Sequence, residues 1–111
     1  MYLLDESFVL FKEQTTAADS PNYINTRAEA ISVQIDGTFS SGSFQFLGKV
    51  SKNANWEPIF LTINLSDGTV GDTVTSKGIY TADISSYKYF KLKINAISGG
   101  AVTAIARLTS L

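Results

Sequence analysis

The chain has 111 residues, enough for one domain that buries roughly two-thirds of the surface its unfolded form exposes, and it contains no cysteine and no histidine. Disulfides, thiolate metal sites, the commonest zinc ligand and the commonest general base are therefore excluded by composition. Nine basic residues against ten acidic ones leave a net charge of −1, a poor electrostatic match for nucleic acid.

Charged residues make up 17% of the chain, below the quarter usual for soluble domains, which is compatible with burial against neighbouring subunits. Met1 to Glu6 has no basic stretch and places acids where a signal peptide would continue its apolar core. No apolar run reaches membrane-spanning length, so synthesis in the cytoplasm of the producing cell and no membrane partner are expected. Without a secretion signal, Asn64-Leu65-Ser66 reads as a chance match to a glycosylation acceptor.

In chain order, Phe8 to Phe11 is a short apolar run that suits a strand buried on both faces or an edge packed on a neighbour. Gln14 to Asn25, with Ser20-Pro21-Asn22 at its centre, reads as a loop or extended segment. Ile31, Val33 and Ile35 then alternate with polar residues, which is the period of a half-buried strand, and Asp36-Gly37 ends it with a turn dipeptide. Phe44 and Phe46 share the next inward face, with Gln45 and Leu47 on the other. Lys52 to Asn55 is a polar loop closed by Trp56. Ile59, Leu61, Ile63 and Leu65 alternate again, and Asp67-Gly68 turns the chain. Thr69 to Lys77 carries only Val70 and Val74 as aliphatic anchors, an edge strand or a loop. Tyr80, Ala82 and Ile84 restart the pattern.

The clearest stretch runs from Tyr87 to Leu108. Phe90, Leu92, Ile94 and Ala96 fall on one face, and Val102, Ala104, Ala106 and Leu108 do so after Ser98-Gly99-Gly100. Two alternating runs around Gly-Gly predict a long β-hairpin. Turn signals every ten residues or so, without an amphipathic helix of three turns, predict an all-β, antiparallel two-sheet β-sandwich of jelly-roll or Ig-like type with about seven to eight strands.

Candidate chemistry is sparse. Trp56, Tyr80, Tyr87 and Tyr89 read as a sugar-stacking platform or as the cover over one end of the core. Tyr87 to Lys93 mixes bases with aromatics as single-strand binders do, yet alternation alone places Lys91 and Lys93 on an exposed face. Asp67 and Asp72 flank a loop where calcium would find oxygens, although Asp-Gly is first of all a turn. Glu57 and Asp83 form no recognisable catalytic motif, and no cofactor or enzyme activity is expected.

Ile35-Asp36-Gly37-Thr38-Phe39, the loop Asn53-Ala54-Asn55-Trp56-Glu57-Pro58-Ile59, the segment Gly78 to Tyr87 and the Gly-Gly between the last two strands together form a recognisable order. Over roughly Ala28 to Leu108 it resembles the small β-sandwich virion proteins of tailed bacteriophages, a loose group of head-decoration, head-fibre and tail-associated modules. The resemblance implies a virion structural protein, a capsid decoration or fibre-type subunit that acts as a homo-oligomer by adhesion to capsid or tail subunits. It places residues 1–25 outside the shared part, as an N-terminal arm with one short strand, and residues 26–111 as the β-sandwich domain. Leu47, Phe60 and Ile105, on the second faces of their strands, would then lie in an interface. The alternative is a carbohydrate- or receptor-binding module in which Trp56 and the tyrosines contact the ligand.

Overall fold

Among the described residues the inward-facing sets read from alternation become core with one exception: the register shift between Ile94 and Ala96 leaves Ala96 exposed and packs Ile97 against the core in its place. Ile31, Val33 and Ile35, then Phe44 and Phe46, Ile59 and Leu61, Phe90, Leu92 and Ile94, and Val102, Ala104 and Ala106 are buried in one continuous cluster. The computed structural model describes residues 5–25, 28–64 and 69–109. The Asp67-Gly68 turn, Leu65 and the side chains of Ile63 and Val70 lie outside the described residues.

Twelve strands are formed among the described residues: β1 (Asp5–Gln14), β2 (Ala18–Asp19), β3 (Tyr23–Ile24), β4 (Ala30–Gly37), β5 (Ser41–Lys49), β6 (Glu57–Pro58), β7 (Leu61–Asn64), β8 (Thr69–Gly71), β9 (Thr73–Val74), β10 (Gly78–Asp83), β11 (Tyr89–Ser98) and β12 (Val102–Thr109). The first sheet has the order β1-β12-β4-β10-β7-β8. The second has β2-β11-β5-β6, with β3 also on β11 and β9 also on β5. All pairings are antiparallel, and the class is the all-β two-sheet sandwich that the sequence predicts. The count exceeds seven or eight because β2, β3, β6 and β9 are two-residue bridges with no periodicity of their own.

The predicted hairpin from Tyr87 to Leu108 does not form. β11 belongs to the second sheet, where it pairs with β5, and β12 belongs to the first, where it pairs with β4 and β1. Ser98 to Ala101 is an arch that carries the chain across the sandwich. Its two strands therefore face each other through the core instead of lying side by side. Residues 38–40 make a second arch from β4 to β5, and the two arches are hydrogen-bonded together: Thr38 N donates to Ala101 O (2.9 Å) and Ser40 N to Ser98 O (3.0 Å). Gly100, at φ 145°, has no room for a side chain, since a Cβ there would lie 2.5 Å from Thr38 O. Hairpin and arch share one sequence signal, because both need glycine between two alternating runs.

Residues 5–25 are built into the sandwich and do not extend from it as the predicted arm would. β1 is the edge strand of the first sheet, paired with β12 from Asp5↔Thr109 to Gln14↔Val102. Register shifts after Val9 and Phe11 bring the consecutive residues Leu10 and Phe11 both into the core, and they interrupt an edge that could otherwise pair with another chain. Ala18 to Ile24 then seals the outer edge of β11. Where the ladder lapses between β2 and β3, Ser20 N donates to Leu92 O (2.8 Å) and Leu92 N to Ser20 Oγ (2.9 Å). Tyr23 stacks on Phe90 at 5.5 Å and meets Phe8 of the opposite sheet at 4.5 Å.

Asn25 closes this end of the molecule. Its buried side-chain amide donates to the carbonyls of Ala28 (3.0 Å), Ile84 (3.0 Å) and Tyr87 (3.1 Å), and its Oδ1 accepts from Ala28 N (2.8 Å). One side chain thereby joins the entry to β4, the exit from β10 and the approach to β11.

Candidate functional site

In β5 the core takes Phe44, Phe46 and Gly48, so Gln45, Leu47 and Lys49 point outward. In β11 the core takes Phe90, Leu92 and Ile94, so Tyr89, Lys91 and Lys93 point outward. The ladder sets Tyr89 opposite Lys49, Lys91 opposite Leu47 and Lys93 opposite Gln45. The 50–56 loop then folds Trp56 back over this face. Lys49 Nζ and Lys91 Nζ each lie 4.6 Å from the centre of the Trp56 ring, and Lys49 Nζ is 5.6 Å from that of Tyr89. Two further bonds hold the ammoniums: Lys91 donates to Asp19 Oδ2 on β2 (2.9 Å) and Lys49 to the carbonyl of Lys52 (3.2 Å). Among the described residues Lys49 has no carboxylate partner.

The four aromatics expected to act together are divided. Trp56 and Tyr89 share this basic face, half-buried. Tyr87 packs against the core beside Gly48. Tyr80 lies on the inner face of the first sheet, where its hydroxyl donates to Ser76 O at 2.7 Å. A strand's alternation says which residues share a face, not which sheet that strand joins, so one platform could not be told from three separate sites.

Leu47 is only 9% exposed, contrary to the expectation that it would lie open in an interface. It does point outward, but Lys91 and Pro58 stand on either side of it in the ladders, and Lys91 itself is 13% exposed, laid down over the sheet. Phe60 (63%) and Ile105 (43%) are exposed as expected. Ile105 belongs to a row that the sequence did not reveal. It stands opposite Val9 of β1 on one side and Gln34 of β4 on the other, and Gln34 stands opposite Ile79 of β10. Val9 (50% exposed) and Ile79 (61%) thus extend a row across the outer face of the first sheet in which Gln34 is the one polar member. Each apolar member is the exposed large apolar residue of its strand, and only the register aligns them. A shallow depression lined by Ser32, Gln34, Ile79, Ile105 and Arg107 runs along this line.

The carboxylates are placed as turn-formers. Asp83 accepts from the Ser85 backbone N–H (2.9 Å) and hydroxyl (2.7 Å), which together hold its carboxyl below the ordinary value of 3.8. Glu57 stands on the other sheet, at β6. Asp72 accepts from Thr73 Oγ1, while Asp67, its expected partner at a calcium site, lies outside the described residues. Among the described residues no group of three or more acidic side chains is placed to hold a metal ion, and no helix is long and apolar enough to cross a membrane.

A family model described as XepA matches residues 5–107. A search of curated proteins finds no significant match. Among solved structures, the SPBc2 prophage-derived protein YomS superimposes with a TM-score of 0.86 at 19% identity, over 99% of this chain and 96% of YomS. The PBSX exported protein XepA superimposes with a TM-score of 0.90 at 21% identity, over 99% of this chain. This chain spans 39% of that longer protein. At such identities the superpositions establish a common fold, and both sources are phage-derived, as the sequence resemblance implies. Since the family model begins where β1 begins and runs into β12, and the sandwich it covers is the one found in these prophage proteins, the chain belongs to the XepA family.

Proposed function

We propose that the protein is a phage structural or accessory module of the capsid-decoration or fibre type, which performs no reaction and works by adhesion to other phage proteins and to copies of itself. The observation that carries this reading is the row Val9–Ile105–Gln34–Ile79, three large apolar side chains and one amide set in register on the outside of a closed sandwich, where folding alone does not require them. Low charge and a threonine-rich setting at Thr81 and Thr103 suit an interface of ordinary size. Membership of a family named for an exported phage protein is consistent with a place on or beside the particle.

The test is solution mass by light scattering at micromolar concentration, followed by co-sedimentation with purified particles. The wild type should run as a symmetric oligomer, and Val9→Ser with Ile105→Ser should shift it to a folded monomer that no longer sediments with particles. A wild-type monomer that ignores particles would sink the proposal.

A second reading, carbohydrate or receptor binding, is favoured by the basic aromatic face of the second sheet. There Trp56→Ala should leave the fold intact and remove the ligand, because the indole lies outside the core.

A further inference from the structure

We propose that the outer face of the second sheet, centred on Lys49, Lys91 and Trp56, binds a linear anionic polysaccharide whose charged groups bridge the two ammoniums. This deepens the carbohydrate reading and is independent of the adhesion assigned to the first sheet.

Cations are not spread evenly over this chain. Lys49, Lys52, Lys88, Lys91 and Lys93, five of its nine basic residues, belong to β5, β11 and the loops beside them, in a protein whose net charge is −1. Asp19 answers only Lys91. Because Lys49 Nζ and Lys91 Nζ each sit 4.6 Å from one ring centre, they can be separated by no more than twice that distance. Within that bound one anionic group, or two successive ones on a chain, can reach both ammoniums, and Lys49, which has no carboxylate partner among the described residues, supplies the charge that Asp19 leaves unanswered. Lysines usually swing freely, but here the indole, Asp19 and the Lys52 carbonyl fix both, so little ordering cost is left for a ligand.

The same geometry selects the class of ligand. A neutral sugar or a nucleic-acid base would stack on the indole and would have to displace the ammoniums that cover it. An anionic polymer without aromatic bases engages them where they stand. A protein partner fits less well, since interface centres are depleted in lysine and this face has lysine at its centre, with Gln45, Thr73 and Lys93 alongside. Hydroxyl, amide and ammonium groups in rows suit a flexible polar chain.

Trp56 is the single tryptophan of the chain, so fluorescence excited at the red edge, where the tyrosines do not absorb, reports on this site alone. Dextran sulfate should change its emission saturably at low ionic strength, less so as salt is raised, and uncharged dextran of the same length should not. Lys49→Gln with Lys91→Gln should weaken the response by about tenfold or more, while Lys12→Gln on β1 leaves it unchanged. If circular dichroism shows that the double variant is unfolded, Lys49→Gln alone serves, with a loss of about threefold. The proposal is overturned by no response to dextran sulfate, by an equal response to uncharged dextran, or by full binding in the folded lysine variant. Oligothymidylate or polyglutamate binding as tightly as dextran sulfate would also overturn it. Val9→Ser with Ile105→Ser, which tests the first sheet, should leave this titration unchanged, so failure of either idea is visible without the other.

Discussion

Asn25 is a polar side chain with a structural task that no pattern announces. Three carbonyls and one N–H converge on it in a buried setting, so Asn25→Ala leaves all of them without the partner they have now. We expect a loss of about 1–3 kcal/mol, seen as a thermal midpoint several degrees lower, and Asn25→Asp should do no better because a carboxylate cannot donate. In the sequence this residue is simply the end of a proline-containing loop, since its partners at Ala28, Ile84 and Tyr87 come from three places. Two ionisable groups give signed pH effects. The lowered value of Asp83 means that its contribution is present above the ordinary 3.8 and is lost as pH falls through the lower value, so Asp83→Ala should flatten the acid limb of stability against pH. The Tyr23 phenol is raised above 10.0 by desolvation among Phe8 and Phe90, so ionisation favours the unfolded chain and stability falls above pH 10. Tyr23→Phe should remove that part of the alkaline decline in urea melts.

Among the elements, alternation identified β4, β5, β7, β10, β11 and β12 and most of the residues they bury, because period-two burial is written directly into the order of side chains; it failed at Ala96, beyond a register shift, and at Leu47, which Lys91 and Pro58 flank. Pairing was not legible in the same way. Gly99-Gly100 supplies the φ values 75° and 145° that an abrupt reversal needs, and those values serve an arch as well as a hairpin. Gly100→Ala should therefore cost about 1–3 kcal/mol by pressing on Thr38 O, and the loss should be read in equilibrium denaturation without a change in particle or polysaccharide binding. β1 was legible as a strand and misplaced as part of an arm, because a bulged edge loses its alternation at Leu10-Phe11. Deleting residues 1–14 should abolish cooperative melting, since it uncovers β12 and removes Phe8, Leu10 and Phe11 from the core. An arm proper could be deleted with the melt unchanged.

At the scale of the whole molecule, two sheets of unlike chemistry lie back to back. One presents a line of aliphatic side chains and the other a set of restrained ammoniums, although the sequence carries a near-neutral charge and no obvious patch. The stacked arches have a kinetic corollary. Since β11 pairs with β5 and β12 with β4, and β1 closes on β12 with Asp5 against Thr109, the long ladders join partners far apart in the chain, and only the short pairings of β5 with β6 and β7 with β8 are local. A hairpin at Gly-Gly would have offered a quick local nucleus. Instead, loop-closure entropy must be met before any long ladder can form, which places refolding in the millisecond-to-second range typical of non-local β topologies. During that interval the unpaired edges of β11 and β12 are open to other nascent chains.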